Sequence, residues 1–238
     1  METNENKQHV QVPNKMTEEH IYLKPGDLLI YATIKRHMNE QTKTCYPSLN
    51  TIASESGASI NTVRAAIQNL VNSGYIEVTQ KGRGKLYRFL KWDKFEPFSY
   101  DFLDNKELSF KEKAYILATQ QYMFKNEDTQ DGVLTYNNVE LSKKLNVSPS
   151  TISRMDNALV GKDLLKINTL TQKDQVTGLP IKEKVFHLNK LQQAVIFILG
   201  NHEQRIQSNE NRMESMEERM DKLEKENKEL RKLLQSKN

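Results

Sequence analysis

The chain has 238 residues, with 35 Lys or Arg against 31 Asp or Glu, a formal net charge of +4 at pH 7 and 37% hydrophobic residues, so it allows one or two small domains with much surface plus an extension. Cys45 is the only cysteine, which excludes an intrachain disulfide and fits a reducing cytoplasm. No membrane association is expected: the longest wholly apolar run, residues 194–199, is far too short to cross a bilayer, and residues 1–20 lack the apolar core of a signal peptide.

Residues 1–17 are polar and read as a flexible N-terminus, with Val10, Val12 and Pro13 able to form a short extended edge. Lys24-Pro25-Gly26 then makes a turn, and Asp27 is the expected N-cap of a support helix over residues 28–38. That helix presents Leu28, Tyr31, Ala32 and Lys35 along one stripe, with Ile30 and Ile34 beside it.

Residues 47–90 organise the rest. Ser48 is a good N-cap for a helix carrying Leu49, Ile52 and Ala53, and Gly57 ends it because glycine tolerates the left-handed conformation of a sharp turn. Ser59 caps a second helix, in which Val63, Ala66, Ile67, Leu70 and Val71 recur at helical spacing and bury one face. Asn61, Thr62, Arg64, Ala65 and Gln68 are left on the other face, small or hydrogen-bonding and free to approach a groove. Gly74 stops this helix. Tyr75, Ile76 and Val78 begin a strand, Lys81-Gly82-Arg83-Gly84-Lys85 makes a basic turn, and the chain returns through residues 86–90. Lys81, Arg83, Lys85, Arg88, Lys91 and Lys94 face only Asp93 between residues 79 and 94, a local patch that favours an anionic partner such as DNA.

That order of elements is a winged helix-turn-helix. Tyr46-Pro47-Ser48-Leu49, Ile52-Ala53, Thr62-Val63-Arg64 and Gly74-Tyr75-Ile76 carry a resemblance to the helix-turn-helix domains of replication initiators and related regulators on bacterial plasmids, phages and other mobile elements. Replication and transcription proteins share this module.

Residues 18–92 therefore read as a first winged domain and residues 93–108 as a linker, whose Phe95, Phe98, Tyr100 and Phe102, with Trp92 just before them, pack it onto a domain. The rival reading of those aromatics is a stacking surface for single-stranded nucleic acid. Residues 109–188 repeat the first unit. Ser109 caps a helix over residues 110–124, a polar loop follows over 125–132, and Thr135 caps a helix with Val139, Leu141 and Leu145. Asn146-Val147-Ser148 makes the turn, and Ser148 with Pro149 opens a helix burying Ile152, Met155, Leu159 and Val160. A shift of 89 residues lays Ser59, Thr62, Val63 and Leu70 on Ser148, Thr151, Ile152 and Leu159. Gly178-Leu179-Pro180 is the expected wing tip, with a return strand over 181–188. This second wing lacks the Lys-Gly-Arg-Gly-Lys cluster, so the first unit reads as the stronger phosphate binder.

Residues 189–200 read as a connecting helix and 201–238 as a coiled coil. Ile206, Met213, Met220, Asn227 and Leu234 fall at position a, and Met216, Leu223 and Leu230 at position d with Asn209. An asparagine at one a position favours a parallel pair, and the g-to-e pairs Arg205–Glu210, Arg212–Glu217, Arg219–Glu224 and Glu226–Arg231 are all opposite in sign in that orientation.

No catalytic constellation is found, so no enzyme is expected. His9, His20, His37, His187 and His202 lack metal-ligand spacing, Gly82-Arg83-Gly84-Lys85 lacks the spacing of a phosphate loop, and no cofactor is implied. The fold expected is mainly α with small β-wings, two winged helix-turn-helix domains followed by a coiled-coil helix. The expected function is sequence-specific double-stranded DNA binding by a cytoplasmic homodimer. Ser59, Asn61, Thr62, Arg64 and Gln68 would read bases or lie near them, Lys81, Arg83 and Lys85 would hold phosphate or enter the minor groove, and Ser150, Thr151, Arg154 and Asn157 would serve the second unit. The family resemblance implies a replication initiator that recruits host replication proteins. A transcriptional repressor fits the same residues, and a scaffold binding proteins through its winged domains is the reading from a different class.

Overall fold

In the computed structural model the chain is described at residues 8–82, 84–90, 94–126, 129, 131–173, 180–188, 190 and 191. These residues all lie within one of two units into which the chain divides, Met1–Phe197. The elements open with β1 (His9–Pro13), α1 (Met16–Glu19) and α2 (Pro25–Lys35). Residues 9–13, placed in a flexible N-terminus on polarity, thus form a strand whose Val10 and Val12 are buried.

Pro25 starts α2, where its missing N–H costs nothing. Asp27 is not the N-cap expected but sits three positions inside, where its carboxylate accepts the Lys24 N–H at 2.9 Å. The helix ends at Lys35, earlier than the apolar spacing predicts. All seven residues from Leu28 to Ile34 are buried, so α2 is covered all round instead of along one stripe. Its neighbours are α3 (Leu49–Ser56) and α4 (Ile60–Asn72) on one side and α6 (Phe110–Gln120) on another. A three-stranded antiparallel sheet, in the order β2 (Thr44–Cys45), β4 (Gly84–Phe89), β3 (Ile76–Lys81), completes the first half.

The stretch read as a linker holds β5 (Phe95–Ser99) and α5 (Tyr100–Asp104), and β5 pairs antiparallel with β1. Phe98 and Phe102 are buried with ring centroids 6.0 Å apart, so these aromatics fill a core and do not form a stacking surface.

After α6 come β6 (Phe124–Lys125), β7 (Gly132–Leu134), α7 (Asn138–Leu145), α8 (Pro149–Gly161), β8 (Leu165–Lys173) and β9 (Pro180–Phe186). The helix expected to reach residue 124 stops at Gln120, and Phe124 lies in a strand paired with Val133. Asn137, not Thr135, caps α7, accepting the Glu140 N–H at 2.9 Å. Val71 and Val160 are exposed instead of buried, and Val139 is exposed too. The bounds of α7 and α8 are those of α3 and α4 moved by 89 residues, and the strand order β7-β9-β8 matches β2-β4-β3. The wing tip at Gly178 and Leu179, residues 192–200 of the connecting helix and the coiled coil lie outside the described residues.

Candidate nucleic-acid interface

The helix pair α3–α4 is set by four local devices. Ser48 Oγ accepts the Thr51 N–H at 3.0 Å, and Ser59 Oγ accepts the Thr62 N–H at 3.1 Å, so both helices are side-chain capped. Gly57, at φ +76°, makes the sharp turn between them. At the far end of α4, Gly74 adopts φ +74°, its N–H donates to Val71 O and that of Tyr75 to Leu70 O, a Schellman closure.

Val63, Ala66, Ile67 and Leu70 bury the inner face of α4. Asn69 adds a polar clamp that the sequence reading missed: its amide donates to the Asp27 carboxylate at 3.3 Å, fixing α4 on α2. Burial pushes the Asp27 carboxyl upward, against the hydrogen bonds from Lys24 and Asn69. The outer face carries Ser59, Asn61, Thr62, Arg64, Ala65 and Gln68, all exposed. Arg64 donates to Asn61 Oδ1 at 3.4 Å and Gln68 donates to Asn72 Oδ1 at 2.8 Å, exposed bonds that a stronger partner can replace. The face is polar and side-chain-rich, and its length suits a major groove.

The β3–β4 hairpin turns at Gly82, φ +60°. Lys81 is exposed and its ammonium sits 4.9 Å from the Tyr46 ring centroid, donating to the hydroxyl at 3.2 Å. Tyr46 itself is 57% exposed, just ahead of α3, and so joins the wing to the helix pair. Lys85 is partly buried, and Arg88 is paired with Glu77 at 3.7 Å, which softens the basic patch read from sequence. Arg83 lies outside the described residues.

In the second half, Ser148 Oγ accepts the Thr151 N–H at 3.2 Å and Asn146, at φ +52°, takes the place of Gly57. Ser150, Ser153, Arg154 and Asn157 are exposed on α8 and Thr151 is partly buried. Lys24 and Lys143 flank an open groove of about 480 Å³ beside the start of α8. Behind α8 the sequence reading missed a buried cluster: Asp156 pairs with Lys184 at 2.7 Å and accepts the Tyr115 hydroxyl at 2.7 Å.

Among the described residues, no group of His, Cys, Asp or Glu is placed to hold a metal, and no helix is long and apolar enough to cross a membrane. Burial pushes the Cys45 thiol up to about 12, so it is protonated at neutral pH.

The geometry defines a helix-turn-helix domain with a wing. The family model described as a helix-turn-helix domain matches residues 22–76, from α2 through the first residue of β3. No curated protein matches the chain.

Proposed function

We propose that the protein is a sequence-specific double-stranded DNA-binding protein, a binding module without catalytic activity, that initiates replication of a mobile element in the cytoplasm. The observation that supports this best is the outer face of α4: Asn61, Thr62, Arg64 and Gln68 stand exposed on a helix rigidly capped at one end and closed at the other. Lys81 and Lys85 of the hairpin, together with Arg83 from the sequence, grip the adjacent backbone. Residues 109–188 form a second winged helix-turn-helix, supported by the matched bounds of the two helix pairs. The heptads of residues 201–238 join two chains in parallel, with Ile206, Met213, Met220 and Leu234 in the seam around Asn227. The same surface serves a transcriptional regulator.

A footprint of the full chain across its own element tests both statements. Protected repeats at an origin support initiation, protection at a promoter assigns regulation, and no protected duplex at low ionic strength contradicts DNA binding.

A further inference from the structure

The two halves are not strung side by side. They meet through equivalent elements, each used reciprocally. In the β1–β5 pair, Gln11 faces Pro97, and these two residues correspond under a shift of 86. The flanking bonds correspond too: Asn14 N–H donates to Lys94 O and Tyr100 N–H donates to Gln8 O, both at 3.1 Å. An antiparallel pair centred on equivalent residues has a local two-fold axis through its middle.

The other contacts between the halves are reciprocal as well. Helix α2 packs on its counterpart α6, α1 packs on α7 of the second half, and α5 packs on α3 of the first. The two helix-turn-helix corners do likewise. A Cβ built at Gly57 would lie 3.9 Å from Cβ of Phe110, which opens α6. Its counterpart Asn146 donates to Leu23 O, just ahead of α2, at 3.0 Å. At the helix ends, the Tyr100 hydroxyl donates to Arg36 O, and the Lys15 N–H donates to Gln121 Oε1. The two halves therefore touch through reciprocal contacts of the kind an isologous dimer makes.

Resting on the DNA-binding reading above, we infer that one chain reads an imperfect inverted repeat, α4 taking one arm and α8 the other. Two modules related by a two-fold can engage one duplex in equivalent ways only when their axis lies on a duplex dyad, which sets the two arms in opposite orientation. Direct repeats need a different relation between modules. The arms differ in sequence because the readers differ. Thr62 and Thr151 correspond, but Arg64 is replaced by Ser153, Ala65 by Arg154 and Gln68 by Asn157. On one face of B-DNA the arm centres lie about 10 bp apart, or a multiple of it.

The test is selection of the full chain from random-sequence duplexes, followed by footprinting with a count of chains per protected site. The expected product is a pair of unlike, inverted arms for every chain counted, so that two chains joined through residues 201–238 cover two such pairs. Arg64→Ala should relax base preference on the order of tenfold in one arm only, and Arg154→Ala in the other arm only. Gln68→Ala and Asn157→Ala repeat the comparison if an arginine variant is misfolded by circular dichroism. Direct repeats, a single arm indifferent to Arg154→Ala, one duplex bound by each half, or identical arms lost together in Arg64→Ala each overturn the inference while leaving DNA binding standing. No enrichment by the natural chain overturns both.

Discussion

Asp156 and Lys184 meet at 2.7 Å with both side chains buried, at positions whose counterparts in the first half are Ile67 and Tyr87. The correspondence extends to Tyr115, which hydrogen-bonds to both and, with α6 lying 85 residues beyond α2, has Ile30 as its counterpart. So one core position set is filled by an ion pair in the second half and by uncharged side chains in the first, Tyr87 keeping a buried hydroxyl. Burial lowers the Lys184 pKa, with Asp156 opposing. The pair joins the returning strand β9 to α8.

Removing one partner strands the other. Lys184→Met should lower stability by about 3–5 kcal/mol. Installing the first half's side chains together, Tyr115→Ile with Asp156→Ile and Lys184→Tyr, should recover most of that loss, because an uncharged, well-packed set removes the need to desolvate two charges. Urea midpoints of the two variants provide the check. A single variant within about 1 kcal/mol of the natural chain would argue against a buried, fully desolvated pair.

Acid should loosen the contacts between the halves. Lys144, 2.7 Å away, holds the Glu18 carboxyl below its ordinary range, and the paired Arg36 guanidinium does the same for Asp104. A depressed carboxylate contributes stability that is full above its unfolded value of about 4 and is lost as pH falls through its folded value. The double variant Glu18→Gln with Asp104→Asn should therefore be less stable than the natural chain at pH 6, and the gap should close as pH falls through the lowered folded values of the two carboxyls. Thermal unfolding across that range decides it. A gap unchanged at the lowest pH would mean that charge is not the cause.

Much of this architecture is legible in the sequence, and the missed tertiary contacts share one cause. The caps Ser48, Ser59 and Ser148, the left-handed Gly57 and the exposed face from Asn61 to Gln68 all follow from local rules acting within a few residues. The β1–β5 pair, the all-round burial of α2 and the Asp156–Lys184 pair depend on segments tens of residues apart, which periodicity does not encode. Asn137 displaced Thr135 as the cap because Glu140 completes a reciprocal capping box with it.

Asn146 offers a cleaner test of the corner. It holds φ +52° and its amide donates to the carbonyls of Thr17, His20 and Leu23. Asn146→Ala adds left-handed strain of about 1–2 kcal/mol to the loss of the amide's hydrogen bonds, about 1 kcal/mol for each of its two N–H groups shared among the three carbonyls. Asn146→Gly removes only the bonds, so it should be the milder of the two. Equal destabilisation in chemical unfolding would show that backbone conformation contributes nothing there.

The wing should act on every sequence alike. Lys81→Ala with Lys85→Ala should weaken binding to specific and unrelated duplexes by similar factors, and the log–log salt slope should flatten by about 0.9 for every phosphate the wing no longer neutralises. Binding isotherms over a range of salt concentrations measure this. An unchanged slope would remove the hairpin from the interface.

The most direct measurement compares the affinity of the full chain for its selected duplex and for a scrambled one, with and without Arg64→Ala and Gln68→Ala. The natural chain should prefer the selected duplex by about 10³ or more. Each substitution should remove about 1–3 kcal/mol of that preference while leaving affinity for the scrambled duplex nearly unchanged. Equal affinity of the natural chain for both duplexes, or a preference untouched by either substitution, would contradict a reading role for the outer face of α4.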